Sequence, residues 1–261
     1  MSLGYSVRAS VGTIVFDRPQ VLNAFDDDLG REALEALAVA AADEQVRCIV
    51  VTGAGRAFCA GEDLGALAGG YESDHPPDLG RTLSDRYNPL IRAIRSAPKP
   101  VVAAINGVAA GAGAGIALAC DFRIASERAK LILAFVKVGL VPDSGSIWFL
   151  TKMVGAAKAW EIAATGDAVS AQEALTLGLV NQVVAADDFE RGWSEFAEGL
   201  ASGPTRAFAL MKSLLDHTAS ASLNDQLDLE VQMQSLAGQT YDHLEGVRAF
   251  LEKRPPSFRG M

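Results

Sequence analysis

Cysteine and histidine are scarce, three of each in 261 residues. Cys48, Cys59 and Cys120 are far apart, odd in number and form no C-x-x-C; His75, His217 and His243 stand near none of them. That spacing predicts neither a disulfide framework nor a zinc site. With no secretory leader ahead of them, the thiols read as residents of a reduced, cytoplasmic compartment. Basic residues are the minority charge, 23 Lys and Arg against 32 Asp and Glu, for a net −9 and a pI near 4.9. Such a field has the wrong sign for nucleic acid, although a local basic site for a phosphate-bearing small molecule is compatible with it. Aromatics supply only 7% of the chain while apolar residues reach 49%, with alanine and 25 glycines prominent. A sizeable core is available, and close backbone packing should build it.

Common fingerprints are missing too. No glycine loop carries G-K-[ST], Ile116 stands where the dinucleotide motif needs its third glycine, and no G-x-S-x-G elbow occurs. No redox cofactor, metal or serine–histidine pair is therefore expected. One uncharged run, VVAAINGVAAGAGAGIALAC (101–120), has the length of a membrane span. Its four glycines, Asn106, the Pro98-Lys99-Pro100 start and the Asp121-Phe122-Arg123 end favour a buried strand, turn and helix. No membrane segment is expected.

What is present reads as one large α/β unit with a helical appendage. TIVFD (13–17), CIVVT (48–52), VVAAI (101–105), FRIAS (122–126) and KLILAF (130–135) read as strands. LVNQVV (179–184) is the one strand candidate in the last hundred residues. Asp26 or Asp27 caps a helix whose apolar positions include Leu29, Ala33 and Leu37. Residues 66–90, rich in glycine, proline and charge, read as mobile, with a helix over 87–94 stopped by Pro98. Pro142-Asp143-Ser144-Gly145 opens a helix, and 156–165, 170–177, 187–201 and 204–217 carry helical periodicity. The chain divides near Gly203-Pro204 into a core, 1–203, and a helical tail, 204–261. A strand–glycine loop–helix unit occurs twice, at 48–68 and 101–120. Such loops offer free N–H groups beside a helix start, which suits an anion or a developing oxyanion. Either loop alone reads equally well as a tight turn.

Three segments together carry a resemblance: Ala57-Phe58-Cys59-Ala60-Gly61-Glu62-Asp63-Leu64, Ile105-Asn106-Gly107-Val108-Ala109-Ala110-Gly111-Ala112-Gly113 and Ala119-Cys120-Asp121-Phe122-Arg123-Ile124-Ala125. With Gly139-Leu140-Val141-Pro142-Asp143-Ser144-Gly145 and the terminal Ala249-Phe250-Leu251-Glu252-Lys253-Arg254, they resemble the crotonase (enoyl-CoA hydratase/isomerase) family over nearly the whole chain. The resemblance implies a crotonase-like spiral of ββα units whose C-terminal helices build a homotrimer or hexamer. It also implies an acyl-CoA thioester substrate, so that coenzyme A enters as part of the substrate and no separate cofactor is needed. The thioester oxygen would lie between the backbone N–H groups of Glu62 and Ala112. Enolate formation puts charge on that oxygen, where each preorganised donor is worth about 3 kcal/mol. By family position the adenine would lie along the backbone of Phe58, Ala60, Asp63 and Leu64, partly reached by the segment around Ala24, with Phe250 and Lys253 approaching the nucleotide of a neighbouring subunit.

Family hydratases carry two glutamates that work on water; here those positions are Gly115 and Phe135. Asp143 matches an acidic position of family isomerases, and the surrounding segments are most similar to the branch that rearranges a ring epoxide of phenylacetyl-CoA. A carboxylate can take a proton from one carbon and return it to another while the enolate oxygen stays bound. An isomerase is therefore expected; an enoyl-CoA hydratase and a non-catalytic acyl-CoA-binding member are the alternatives. Asp143 could instead cap its helix. The Glu62 side chain could be a second acid–base group, Lys253 a solvated helix end, and Asp63 the cap of the next helix. Asp121 is expected to pair with Arg123, and Phe135, Trp148 and Phe149 to form part of the pocket.

Overall fold

The computed structural model describes residues 2–71 and 77–261. His75 and Pro76, within the stretch read as mobile, lie outside the described residues. The strands in chain order are β1 (Leu3–Arg8), β2 (Val11–Phe16), β3 (Cys48–Gly53), β4 (Ala57–Cys59), β5 (Val101–Ile105), β6 (Val108–Ala110), β7 (Phe122–Ser126), β8 (Lys130–Ile132), β9 (Ala168–Ser170) and β10 (Gln182–Val184). The helices are α1 (Asp27–Ala42), α2 (Leu64–Tyr71), α3 (Leu79–Thr82), α4 (Asn88–Ser96), α5 (Ala112–Ala119), α6 (Ser146–Thr165), α7 (Ala171–Thr176), α8 (Phe189–Ala201), α9 (Thr205–His217), α10 (Leu223–Gly238) and α11 (Tyr241–Glu252).

Two sheets share the work. The larger runs β1-β2-β3-β5-β7-β10 and the smaller β4-β6-β8-β9. Strands β2, β3, β5, β7 and β10 pair in parallel, which requires crossovers. β2 reaches β3 through α1 alone, and the later crossovers pass through the second sheet before their helices. The chain thus winds as β3–β4 then α2, β5–β6 then α5, and β7–β8 then α6: three ββα turns where the sequence showed two. β3 and β5 are buried along their whole length, as parallel strands covered on both faces must be. The run 101–120 is β5, β6 and α5, and no described helix is long and apolar enough to cross a membrane.

Local chemistry sets the elements. The Asp26 carboxylate accepts from the Leu29 N–H and starts α1, whose Leu29, Ala33 and Leu37 face the core. Gly155, at φ 75° and ψ 164°, breaks α6 near its middle, so the periodicity over 156–165 is its second half. KLILAF ends as a strand at Ile132 and turns into a 3-10 segment over Ala134–Val138, closed by left-handed Gly139. Most of the stretch read as mobile is helical: α2, α3, a π-turn at Leu83–Tyr87 and α4.

Asp121 does not pair with Arg123. It binds Arg95 at 3.2 Å and Lys212 at 2.8 Å and accepts the Val101 N–H, while Arg123 donates to the carbonyls of Leu179 and Cys120. The carboxylate thus ties α9 to the core, since Lys212 also donates to the Ile94 carbonyl. Gly203-Pro204 separates α8, packed on the large sheet through Phe189 and Ala197, from the three tail helices.

Candidate active site

Both glycine loops end in the same place. Gly61 has φ +92° and Gly111 φ +52°, values that a side chain disfavours. A Cβ on Gly61 would lie 3.0 Å from the Ala110 carbonyl oxygen and 3.4 Å from the Ala112 nitrogen, so the two backbones touch. The Glu62 segment is fixed by a bridge to Phe25, whose N–H donates to Gly61 O and whose carbonyl accepts from Asp63 N. Ala112 opens α5, where the first N–H groups have no partner within the helix. Among the described residues neither the Glu62 nor the Ala112 N–H finds an acceptor.

Beside these donors is a cavity of 160 Å³, lined by Ala60, Glu62, Leu64, Gly111, Ala112 and Asp143. Leu79, Leu83, Tyr87, Phe135, Val138 and Leu140 make it largely apolar. That volume is below the roughly 300 Å³ of a drug-sized site. Glu62 and Asp143 are its two carboxylates among the described residues.

Their surroundings differ. Glu62 accepts two bonds from Arg86 Nη1, at 2.7 and 2.8 Å, and one from the Tyr87 hydroxyl at 2.6 Å. Arg86 also reaches Asp27, and its stem crosses α1 at Gly30, where a Cβ would sit 2.4 Å from Arg86 Cγ. Burial opposes the guanidinium charge, but the bonds to Glu62 and Asp27 outweigh it and hold Arg86 above its ordinary range. Burial and the Glu62 charge raise Tyr87, which stays a donor. Asp143 instead receives one side-chain bond, from the Ser144 hydroxyl at 2.8 Å. Burial pushes its carboxyl above the ordinary aspartate range; the Ser144 bond pulls it down and the Glu62 charge adds to the rise. Asp143 does not cap α6 with its side chain: the cap residue is Gly145, and it is the Asp143 carbonyl that accepts from Ser146 N at 2.9 Å.

Several other residues singled out from the sequence do not line this cavity. The Phe58 side chain is fully buried, 5.8 Å edge-on from Phe16, and Ala24 is buried, so neither offers side-chain surface to a ligand. The Asp63 carboxylate is taken by Arg18 at 3.0 Å and by the Ala66 N–H, the cap of α2. Trp148 and Phe149 leave the pocket to Phe135; they meet edge to face and line a separate groove with Phe208 and Met211. Phe250 is 82% exposed on α11, and Lys253 ends that helix in the left-handed region; neither lines the cavity. Arg86, Tyr87 and Ser144 were missed by the sequence reading: nothing in local spacing ties Arg86 to a carboxylate 24 positions earlier.

Residues 6–261 match the Enoyl-CoA hydratase/isomerase family. The 1,2-epoxyphenylacetyl-CoA isomerase of Escherichia coli is 42% identical over 255 residues, 97% of this chain and 97% of that protein. A "probable enoyl-CoA hydratase" of Rhodobacter capsulatus is 43% identical, covering 99% of this chain and 98% of that one. The crystal structure of an enoyl-CoA hydratase from Bacillus anthracis superposes with a TM-score of 0.93 at 33% identity, covering both chains completely at 100%.

Proposed function

The chain belongs to the enoyl-CoA hydratase/isomerase family, and on that premise we propose that it is an acyl-CoA isomerase using Asp143 as its acid–base group. Curated relatives of similar identity carry isomerase and hydratase names alike, so the choice rests on the side chains of the cavity. The observation that carries it is the inequality of the two carboxylates. Among the described residues Arg86 and Tyr87 donate three bonds to Glu62, whereas Asp143 keeps most of its lone pairs open beside an apolar cavity.

In this reading the thioester oxygen accepts from the N–H groups of Glu62 and Ala112. Asp143 removes a proton from the carbon next to the thioester carbonyl, and the electron pair moves onto that oxygen as an enolate. For a 3-enoyl thioester the enolate is conjugated with the double bond. Return of the proton to the far end of the conjugated system gives the 2-enoyl product and regenerates the carboxylate. The ring-epoxide rearrangement named for the Escherichia coli relative would use the same enolate. Hydration is disfavoured because Gly115 and Phe135 cannot activate water.

The coenzyme would run outward past Ala60 and Leu64. Phe250 and Lys253 would meet its nucleotide across a subunit boundary in a homotrimer or hexamer, an arrangement that their exposure on α11 allows. The test is purified protein assayed against 3-enoyl-, 2-enoyl- and aromatic-ring CoA thioesters. Conversion of the 3-enoyl or ring substrate with negligible hydration of crotonyl-CoA is the expected result. Rapid loss of the crotonyl-CoA enone absorbance without isomerisation would overturn it.

A further inference from the structure

We propose that Ser144 is a positioning residue for Asp143, its hydroxyl orienting the carboxylate at the cavity wall, and that the missing side chain of Gly115 is what makes room for it. The proposal rests on Asp143 being the acid–base group.

Ser144 is a non-glycine residue at φ +52°, 3% exposed, directly after the functional carboxylate. A side chain in that region costs energy and persists where its surroundings hold it. Here both neighbours do. Above it, the hydroxyl donates to Asp143 Oδ1 at 2.8 Å. Below it lies α5: a Cβ built on Gly115 would come 2.7 Å from Ser144 Cβ, 3.0 Å from Ser144 O and 2.9 Å from Ser146 Oγ. Those distances leave no space for any side chain at 115 unless the serines move. Ser146 completes the hold from the other end, since its hydroxyl, at 2.6 Å, and its N–H both donate to the Asp143 carbonyl. Asp143 is thus gripped at backbone and side chain, with Oδ2 left to exchange the proton.

The bond has a readable electrostatic consequence. A hydroxyl donating to a carboxylate favours its charged form, and Ser144 pulls Asp143 down against the rise caused by burial. Glu62 faces Asp143 across the cavity but is ion-paired with Arg86, and Tyr87 and Tyr71 are the titratable phenols of the lining. Lys137, on the adjacent 3-10 segment, pairs with Asp167 at 3.5 Å. Among the described residues, therefore, no other free charge conceals loss of the Ser144 hydroxyl.

The experiment is the pH profile of kcat/KM for isomerisation of a 3-enoyl-CoA by Ser144→Ala, Ser144→Gly, Gly115→Ala and Asp143→Asn. Ser144→Gly suits the backbone and removes the hydroxyl; Ser144→Ala keeps the slot filled. Both should move the acid limb upward by about one pH unit, the size of one bond to a charged group. Both should also lower the plateau about tenfold through a misaimed carboxylate, with KM nearly unchanged. Gly115→Ala should lower the plateau while retaining the hydroxyl. An unshifted limb in both serine variants, or a change in Ser144→Gly alone, would overturn the proposal while Asp143→Asn still abolished turnover. Full turnover by Asp143→Asn would overturn the parent reading, and this one with it.

Discussion

Two walls of one cavity carry the same functional group under opposite conditions. On the wall built by the first glycine loop and the π-turn before α4, Glu62 accepts three bonds from Arg86 and Tyr87. On the wall before α6, Asp143 is held by one neutral hydroxyl and raised by burial. The first arrangement engages Glu62 in an ion pair, and the second leaves Asp143 the open acceptor positions that the proposed base requires. Position alone would have assigned both as acid–base candidates; the ion pair on one and the single neutral bond on the other separate them.

The contrast can be broken most severely at Asp143. Asp143→Asn should lower turnover by at least about a hundredfold, with acyl-CoA affinity within a few-fold by equilibrium binding. Next comes the ion pair that defines the other wall. Arg86→Met leaves Glu62 82% shielded from solvent and without its cation, since the Glu62 side chain is only 18% exposed. It should cost about 3 kcal/mol of stability in denaturant unfolding, and adding Glu62→Gln to it should restore much of that.

The sign of the pH effects follows from the direction of the Asp143 shift. A base must be ionised, so activity should fall as pH drops through a value above the ordinary aspartate pKa of about 3.9. A carboxyl raised by folding stabilises the fold at acid pH, and that contribution is lost as pH rises through its folded pKa. Asp143→Asn should therefore raise Tm at neutral pH while removing activity, which calorimetry can check. The smallest effect belongs to Glu62→Gln. It keeps the backbone donor and should change kcat by no more than about threefold.

Much of the core was legible because long β-branched runs and glycine loops have local signatures. β3, β5 and β7, the capped start of α1 and the loops at Gly61 and Gly111 all follow from neighbouring residues. β4, β6 and β9 are three residues each, too short for a period to show, so only β8, inside KLILAF, signalled the second sheet. Among site residues, Glu62, Ala112 and Asp143 were found by resemblance, and the structure brings them to one cavity. Their distinct chemistry was not legible. Arg86 reaches Glu62 by crossing α1 at Gly30, and Ser144 reaches Asp143 by leaning on Gly115, both of them contacts of the fold. Trp148 and Phe149 misled because aromatic residues near a functional turn face either side of it with equal ease.

The central claim is that the proton moves through Asp143 and not through Glu62. Its most direct test is isomerisation of one 3-enoyl-CoA by Asp143→Asn, Glu62→Gln and the double variant in a single assay. The account predicts that the double variant is as slow as Asp143→Asn, within the roughly threefold effect of Glu62→Gln. A Glu62→Gln enzyme that loses the rate while Asp143→Asn retains it would contradict the account.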